Sequence, residues 1–283
     1  MVPRVASSIV FFALLLFGLY GRAPWAGHVI LAAAVWGALA GTREYYKMAK
    51  RLKLRPSPWP GYAVALTLLA DAYFAEFHNF VYIFIAIFWA IFLTQVFLKR
   101  LEGSIANTAC SLFGCIYVAM PLAIVLDIFR HATTKWDFHD AHSGGNLVLF
   151  LILSTWATDI GGYCFGKPFG RHKMAPILSP NKSWEGLAGG ALLAAVAGGL
   201  LWRFWPGMAL TLGRRECLAL PLLFTLVGTV GDLAESAFKR DAGVKDSGHT
   251  FTGHGGMLDI LDSLLLCAPV FYLFIRIAHH LRS

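Results

Sequence analysis

Apolar segments long enough to cross a bilayer follow one another along almost the whole chain. Of the 283 residues, 57% are hydrophobic and only 14% are charged, and the mean hydropathy is +0.61. A bilayer core about 30 Å thick requires roughly 20 apolar residues per helix, because each helical residue adds about 1.5 Å. Backbone amide and carbonyl groups in hydrocarbon must be satisfied internally, which restricts spanning segments to helices or closed barrels. The long apolar runs therefore predict an all-α integral membrane protein.

The apolar segments predict a polytopic bundle of about nine transmembrane helices. No internal repeat of fixed period and no low-complexity linker divides the sequence, so we expect a single domain over residues 1–283, with its catalytic half at approximately 146–283. The predicted segments are 7–21, 24–41, 59–75, 79–98, 104–129, 146–166, 186–205, 217–238 and 257–278.

Positive charge is distributed unequally over the loops between these segments. If the N-terminus lies inside, roughly two thirds of the Lys and Arg residues fall on one side, and cytoplasmic loops of membrane proteins carry such an excess. We therefore expect a cytoplasmic N-terminus. An excess of Lys and Arg in cytoplasmic loops is common in membrane proteins and is consistent with the formal net charge of +8. Because no basic stripe or RNA-binding motif accompanies that charge, the lipid bilayer is the expected partner and nucleic acid is not.

Carboxylates inside membrane helices indicate a function, since placing each Asp there costs about 2.5 to 3.5 kcal/mol of insertion free energy. Asp232, Glu235 and Ser236 share one helical face at the end of the eighth segment, and Asp259 and Asp262 repeat the spacing at the start of the ninth. Consecutive segments are antiparallel, so we expect Asp232 and Asp262, which lie at similar depths, to meet. Clustered carboxylates favour a hard divalent cation, and Mg²⁺ usually takes one or two of them together with substrate phosphates.

A basic, glycine-rich loop connects the two acidic faces. Lys239, Arg240 and Lys245 can neutralise phosphate oxygens. The His254-Gly255-Gly256 run leads into a helix whose first N–H groups favour anions, and glycine permits close approach of the backbone. The combination predicts a cytoplasmic site for a metal-bound polyphosphate. For any one of these residues, a positive-inside anchor or a plain turn is the open alternative.

A second polar stretch, residues 159–186, lies on the same predicted side of the membrane. Its glycines predict an irregular backbone, which is tolerated at membrane depth only where it lines a protein-buried or watery cavity. Ser179 and Pro180 resemble an N-cap and a first helical residue, which would leave Lys182 in the first turn. A hydroxyl and a lysine placed there are suited to a lipid phosphate. The alternative is a glycine-rich re-entrant turn with solvated charges.

The two polar stretches resemble the recurring sequence blocks of phosphatidate cytidylyltransferases, also called CDP-diacylglycerol synthases. The upstream block carries Asp159, Tyr163, Gly166, Gly170, His172, Ser179-Pro180, Lys182 and Glu185-Gly186. The downstream block carries Ser236, Lys239-Arg240, Lys245-Asp246-Ser247-Gly248, Gly253-His254-Gly255-Gly256, Asp259 and Asp262. The chain departs from the family pattern at Ile260, where Arg is usual, and at Thr252, where Pro is common.

The resemblance implies cytidylyl transfer from CTP to phosphatidic acid, giving CDP-diacylglycerol and pyrophosphate, a step of phospholipid biosynthesis. It implies Mg²⁺ as cofactor and, in some members, a monovalent cation such as K⁺. We expect the active site to face the cytoplasm from a bacterial inner (cell) membrane. The implied metal ligands are Asp232, Asp259 and Asp262. The implied catalytic residues are Asp232, Asp259, Lys239 and Lys245. The implied substrate-binding residues are Ser179, Lys182, Ser236, Arg240, Asp246, His254, Gly255 and Gly256.

Two other functions agree with many of the same residues. A CTP-dependent transferase acting on an isoprenoid lipid phosphate would need a similar polar site, because an apolar groove suits acyl and prenyl chains alike. A cation-coupled membrane transporter would use the membrane-embedded carboxylates as ion sites, but no inverted repeat is evident and the basic loop would have no role. A homodimer is compatible with the sequence.

Overall fold

The computed structural model describes residues 2–97, 102–136, 138, 140–248, 250 and 255–281. These residues are almost entirely helical, which confirms the predicted fold class. In the described part of the chain, one antiparallel hairpin interrupts the helices and consists of β1 (Lys173–Ala175) and β2 (Ser179–Ser183). The helices are α1 (Val2–Tyr20), α2 (Ala26–Arg51), α3 (Pro58–Phe74), α4 (Phe80–Phe97), α5 (Ser104–Trp136), α6 (Ser143–Phe169), α7 (Trp184–Phe204), α8 (Met208–Thr211), α9 (Arg214–Asp241) and α10 (Met257–His280).

Every predicted apolar segment coincides with one of these helices. Among the described residues, five helices are long and apolar enough to cross a membrane, namely α5, α6, α7, α9 and α10. Shorter apolar stretches occupy Val10–Tyr20 in α1 and Phe80–Thr94 in α4. The chain is thus an integral membrane protein, whereas the count of nine spans and the cytoplasmic N-terminus stay predictions.

The chain forms two compact units, and each is assembled from separate stretches of sequence. Unit 1 contains Met1–Asp127 and Phe238–Ile260, and unit 2 contains Ile128–Ala237 and Leu261–Ser283. Helices α5, α9 and α10 contribute residues to both units. The single domain with a catalytic half in its second part stays a prediction.

In unit 1, α2 packs against α1 and α3, and buried hydrogen bonds connect it to α5. The hydroxyl of Tyr46 donates to the carbonyl oxygen of Ser111 at 2.8 Å. The hydroxyl oxygen of Ser111 accepts the N–H of Ser57, the N-cap of α3, at 2.8 Å. A buried polar group left without a partner costs about 1 to 3 kcal/mol, so these pairings fix how α2, α3 and α5 pack.

In unit 2, α6 and α7 approach so closely that glycines line their contact. A Cβ atom added at Gly161 would lie 2.6 Å from the carbonyl oxygen of Gly189 and 2.8 Å from Cα of Gly190. Small residues at helix interfaces permit this approach between membrane helices. The stretch 159–186 is not uniform helix, as its glycines predicted, because β1 and β2 separate α6 from α7. The irregularity does not begin at Gly161 and Gly162, which lie within α6. Gly161 serves close helix packing.

We expect Gly161→Ala to lower the free energy of unfolding of unit 2 by about 1 to 3 kcal/mol, the usual cost of overpacking. Gly162→Ala is the matched control, because a Cβ atom there would have its nearest neighbour at 3.9 Å. Both changes give the same gain in helix propensity, so their difference reports the packing. In a background in which Cys110, Cys115 and Cys164 are replaced by Ala, thermal unfolding in detergent can be followed by the reaction of the buried Cys217 and Cys267 thiols with a dye. Equal unfolding midpoints for the two variants would contradict the close contact.

Candidate active site

Asp259, in the first turn of α10, accepts hydrogen bonds at both carboxyl oxygens. Its Oδ1 lies 2.7 Å from Nζ of Lys239, and the two side chains are only 14% and 12% exposed. Its Oδ2 accepts the N–H of Gly256 at 2.7 Å, and the N–H and hydroxyl of Ser247 at 3.0 and 2.9 Å. The bond to Gly256 matches one half of a capping box, in which the third helical residue satisfies the N-cap N–H. Asp259 therefore fixes the start of α10 and pairs with the end of α9, all within unit 1.

Glu44 of α2 reaches the same loop from the first part of the chain. It is 3% exposed, and its carboxyl group accepts the hydroxyl of Ser247 at 3.1 Å, the N–H of Leu258 at 3.0 Å and the hydroxyl of Thr250. The hydroxyl of Ser247 thus lies within hydrogen-bonding distance of both Glu44 and Asp259, and its single proton is shared between the two carboxyl groups. Glu44 was not predicted from the sequence, because one acidic residue near the basic end of α2 forms no periodic or motif signal. We name the set formed by Glu44, Lys239, Ser247 and Asp259 the loop cluster.

The other predicted residues of the loop lie on its surface or at its end. Arg240, Lys245 and Asp246 are exposed. Gly255 has a φ of +88°, which favours glycine, and a Cβ atom there would lie 2.7 Å from Oδ2 of Asp259. His254 and Thr252 lie outside the described residues. Exposed cations beside a fixed helix N-terminus suit the binding of an anion.

Unit 2 contains a second group of charged side chains, which we name the acidic cluster. Its members come from α6, β2, α9 and α10, and they are Asp159, Lys182, Asp232 and Asp262. Nζ of Lys182 lies 2.5 Å from Oδ2 of Asp232. Asp262 lies within electrostatic range of Asp159 and Asp232. Helices α9 and α10 approach closely here, and the absence of a side chain at Gly231 permits this. A Cβ atom there would lie 2.7 Å from the carbonyl oxygen of Asp262. Three carboxyl groups against one lysine leave an excess of negative charge, which favours a cation.

Lys182 does not lie in the first turn of a helix, as the sequence suggested. Ser179 begins β2, and α7 begins only after Ser183, whose hydroxyl oxygen accepts the N–H of Gly186 at 3.2 Å. The interpretation of Ser179 and Pro180 as an N-cap and first helical residue is therefore wrong, since the later serine caps the helix. Ser179 is half-buried at the start of the strand, and Lys182 extends from the strand.

The acidic cluster has the donor type that a hard cation prefers, which is carboxylate oxygen. Oδ1 of Asp232 accepts the hydroxyl of the buried Ser236 at 3.4 Å, and its Oδ2 contacts Lys182, so lone pairs remain on both oxygens. Within the described ranges, no group of three or more His, Cys, Asp or Glu side chains is arranged to hold a metal ion by itself. The coordination sphere of Mg²⁺ is commonly completed by waters and substrate phosphates. The acidic cluster therefore fits a Mg²⁺ ion whose remaining ligands come from a bound phosphate.

The fold and the two clusters define an integral membrane protein with a basic loop and membrane-embedded carboxylates. Residues 2–278 match the cytidylyltransferase family, and the chain belongs to that family. It is a nucleotidyltransferase by this membership, which confirms the resemblance found in the sequence.

Individual relatives match the chain as well, and two of the three described here are named phosphatidate cytidylyltransferase. The phosphatidate cytidylyltransferase of Synechocystis is 31% identical over 294 residues, covering 96% of this chain and 95% of that protein. The phosphatidate cytidylyltransferase of Haemophilus influenzae is 40% identical over 139 residues, 48% of each chain. The protein YnbB of Escherichia coli is 38% identical over 183 residues, 64% of this chain and 58% of YnbB. For the last two, the match spans less than two thirds of the relative's length.

Proposed function

We propose that the protein transfers the cytidylyl group of CTP to phosphatidic acid, forming CDP-diacylglycerol and releasing pyrophosphate. The observation that carries the proposal is the loop cluster, which holds a basic loop against the N-terminus of a membrane helix. Such a loop suits a triphosphate, and the apolar helices of the same chain suit a lipid acceptor. The near full-length similarity to a protein named phosphatidate cytidylyltransferase supports this choice of acceptor.

The proposed chemistry is one displacement at phosphorus. A phosphate oxygen of phosphatidic acid attacks the α-phosphorus of CTP, a new P–O bond forms, and the bond to the β-phosphate oxygen breaks as pyrophosphate leaves. A phosphomonoester has its second pKa near about 6, so at neutral pH it is largely dianionic and needs no strong general base. Catalysis then depends on positioning and on stabilisation of charge.

The exposure and contacts of each side chain indicate whether it would bind phosphate oxygens or position the loop. Exposed Arg240 and Lys245 would bind phosphate oxygens of the nucleotide, and the pair of Lys239 and Asp259 would keep the loop in place. Lys182, which is partly exposed beside Asp232, would bind an oxygen of the lipid phosphate.

Asp232 and Asp262 are the residues that we propose to hold Mg²⁺. When bound, the ion would supply neutralisation of phosphate charge. Asp259, also assigned to the metal from the sequence, is already bound by protein donors at both oxygens. We therefore assign it first to the loop and the helix end.

The orientation in the membrane is part of the proposal. CTP is a cytoplasmic nucleotide, so the loop between α9 and α10 would face the cytoplasm of a bacterial cell from the inner membrane. The excess of Lys and Arg on that predicted side supports this orientation, as well as the nine spans with a cytoplasmic N-terminus.

One assay tests the reaction and the acceptor together. Detergent-solubilised protein is incubated with α-labelled CTP, Mg²⁺ and either phosphatidic acid or a prenyl phosphate. We expect labelled lipid with phosphatidic acid only, its loss on addition of a chelator, and its return with excess Mg²⁺. Label in the prenyl product alone would assign an isoprenoid acceptor, and no labelled lipid with either acceptor would contradict the proposed function.

A further inference from the structure

The carboxyl group of Glu44 contacts the loop between α9 and α10 across most of the sequence. Its partners Ser247, Thr250 and Leu258 lie 203, 206 and 214 residues further along the chain. In the described part of the chain, the hydrogen bonds of this carboxyl group all go to the loop or to the first turn of α10. Glu44 lies outside both sequence blocks of the family resemblance, and it belongs to unit 1 together with its partners.

Two glycines of the downstream block leave the space that Glu44 fills. A Cβ atom at Gly256 would lie 2.6 Å from Oε2 of Glu44, and one at Gly248 would contact Oε1. A side chain at either position would overlap the carboxyl group of Glu44, and at Gly256 it would also overlap the hydroxyl of Ser247. The two glycines are therefore explained by the buried side chain of α2 as well as by approach to a ligand.

The contacts of Glu44 continue directly to Asp259. Ser247 Oγ lies 3.1 Å from Oε2 of Glu44 and 2.9 Å from Oδ2 of Asp259, and Asp259 in turn pairs with Lys239. A displaced Glu44 would therefore release the loop on one side of Ser247 and disturb Asp259 on the other. The exposed Lys245 lies two residues before Ser247, so its position depends on the same contacts.

We propose that Glu44 is a positioning residue for the nucleotide. It holds the loop in place before the nucleotide arrives, so that Lys245 and the N-terminus of α10 are already positioned to bind the triphosphate. A loop that is ordered before binding loses less conformational entropy when the ligand arrives, and affinity is higher for that reason. This inference rests on the proposed function, because it assigns the loop to CTP.

The kinetic test compares Glu44→Gln, Thr250→Val and the double variant with the unchanged protein. Glu44→Gln keeps the side-chain volume and removes the charge. We expect the KM for CTP to rise by about tenfold, equivalent to about 1.4 kcal/mol. We also expect kcat and the KM for phosphatidic acid to change by less than about threefold, since only nucleotide binding loses preorganisation. Thr250→Val should raise the KM for CTP by about threefold, and the double variant should resemble Glu44→Gln, because both changes act through one contact.

Thr42→Val is the matched control. Thr42 is fully buried on the same helix, and its hydroxyl has no hydrogen-bond partner among the described residues. Its replacement by an isosteric apolar residue should leave both KM values unchanged. An equal rise in the KM values for CTP and phosphatidic acid, or a fall in kcat alone, would overturn the positioning role of Glu44.

A second measurement needs no catalytic activity. In protein without nucleotide, amide hydrogen exchange over residues 244–248 and 256–258 should be faster in Glu44→Gln than in the unchanged protein, and unaltered in Thr42→Val. If the unchanged protein makes no labelled lipid but amide exchange is faster in Glu44→Gln, the proposed reaction is contradicted, whereas the ordering of the loop by Glu44 is supported. If the protein is active and Glu44→Gln alters neither exchange nor the KM for CTP, the inference fails by itself. Thr250→Val gives the same readouts should Glu44→Gln not fold.

Discussion

Asp259→Asn is expected to lower kcat/KM for CTP by at least about a thousandfold, roughly 4 kcal/mol of transition-state stabilisation, while folded protein remains in the membrane. The amide group cannot form the ion pair with Lys239, whose side chain is only 12% exposed, and an uncompensated buried charge is costly. The amide also offers one acceptor oxygen where the carboxylate serves Gly256, Ser247 and Lys239 with two. Initial rates with labelled CTP measure the loss.

Asp241→Asn is the control for that change. Asp241 is exposed at the last position of α9, so its substitution removes the same charge without removing a buried contact. We expect its rates to stay within about twofold of the unchanged protein, since exposed charges contribute little. Near-normal rates in Asp259→Asn, or its failure to elute as a folded species in detergent, would contradict the role assigned to the carboxylate.

Lys182→Met is expected to lower kcat/KM for phosphatidic acid by at least about a hundredfold. The lysine lies 2.5 Å from Asp232 and is the one cation of the acidic cluster as we define it. Without it, three carboxyl groups repel one another, and a dianionic lipid phosphate approaching them is repelled as well. Rates at several concentrations of phosphatidic acid, at fixed CTP, measure the effect.

Lys173→Met is the matched control for the second substitution. Lys173 belongs to the same hairpin, in β1, and its side chain is exposed. Its replacement removes one positive charge on the same hairpin without touching the acidic cluster. Similar rates for the two variants would mean that Lys182 acts only through the general charge of this region, which would refute its place beside the lipid phosphate.

The helices were predictable because length and hydropathy determine them. A run of apolar residues long enough to span hydrocarbon has few alternatives to a helix, so each predicted segment coincides with one in the structure. The short α8 and the hairpin of β1 and β2 carry no such signal and were missed. The glycines correctly predicted that residues 159–186 are not uniform helix, but Gly161 lies in α6, where it permits close packing with α7.

The candidate site was predictable only as far as spacing along one helix allows. Asp259 and Asp262 share a helical face, but helical periodicity does not predict contacts with residues that are distant in sequence. Asp259 is held by Lys239 within unit 1, and Asp262 lies near Asp159 within unit 2. The contact of Glu44 with Ser247 depends on the tertiary fold of α2 against the loop and has no local pattern.

The hydrogen bonds of Glu44 connect α2 to the loop before α10 within unit 1. A fragment that starts after α2 would keep both family blocks and lose the carboxyl group that fills the space beside Gly248 and Gly256. Under the proposed positioning role of Glu44, α2 belongs to the nucleotide site and is more than a membrane anchor. Among homologous sequences, a change at position 44 would be tolerated best together with changes at the two glycines. We therefore expect positions 44, 248 and 256 to covary.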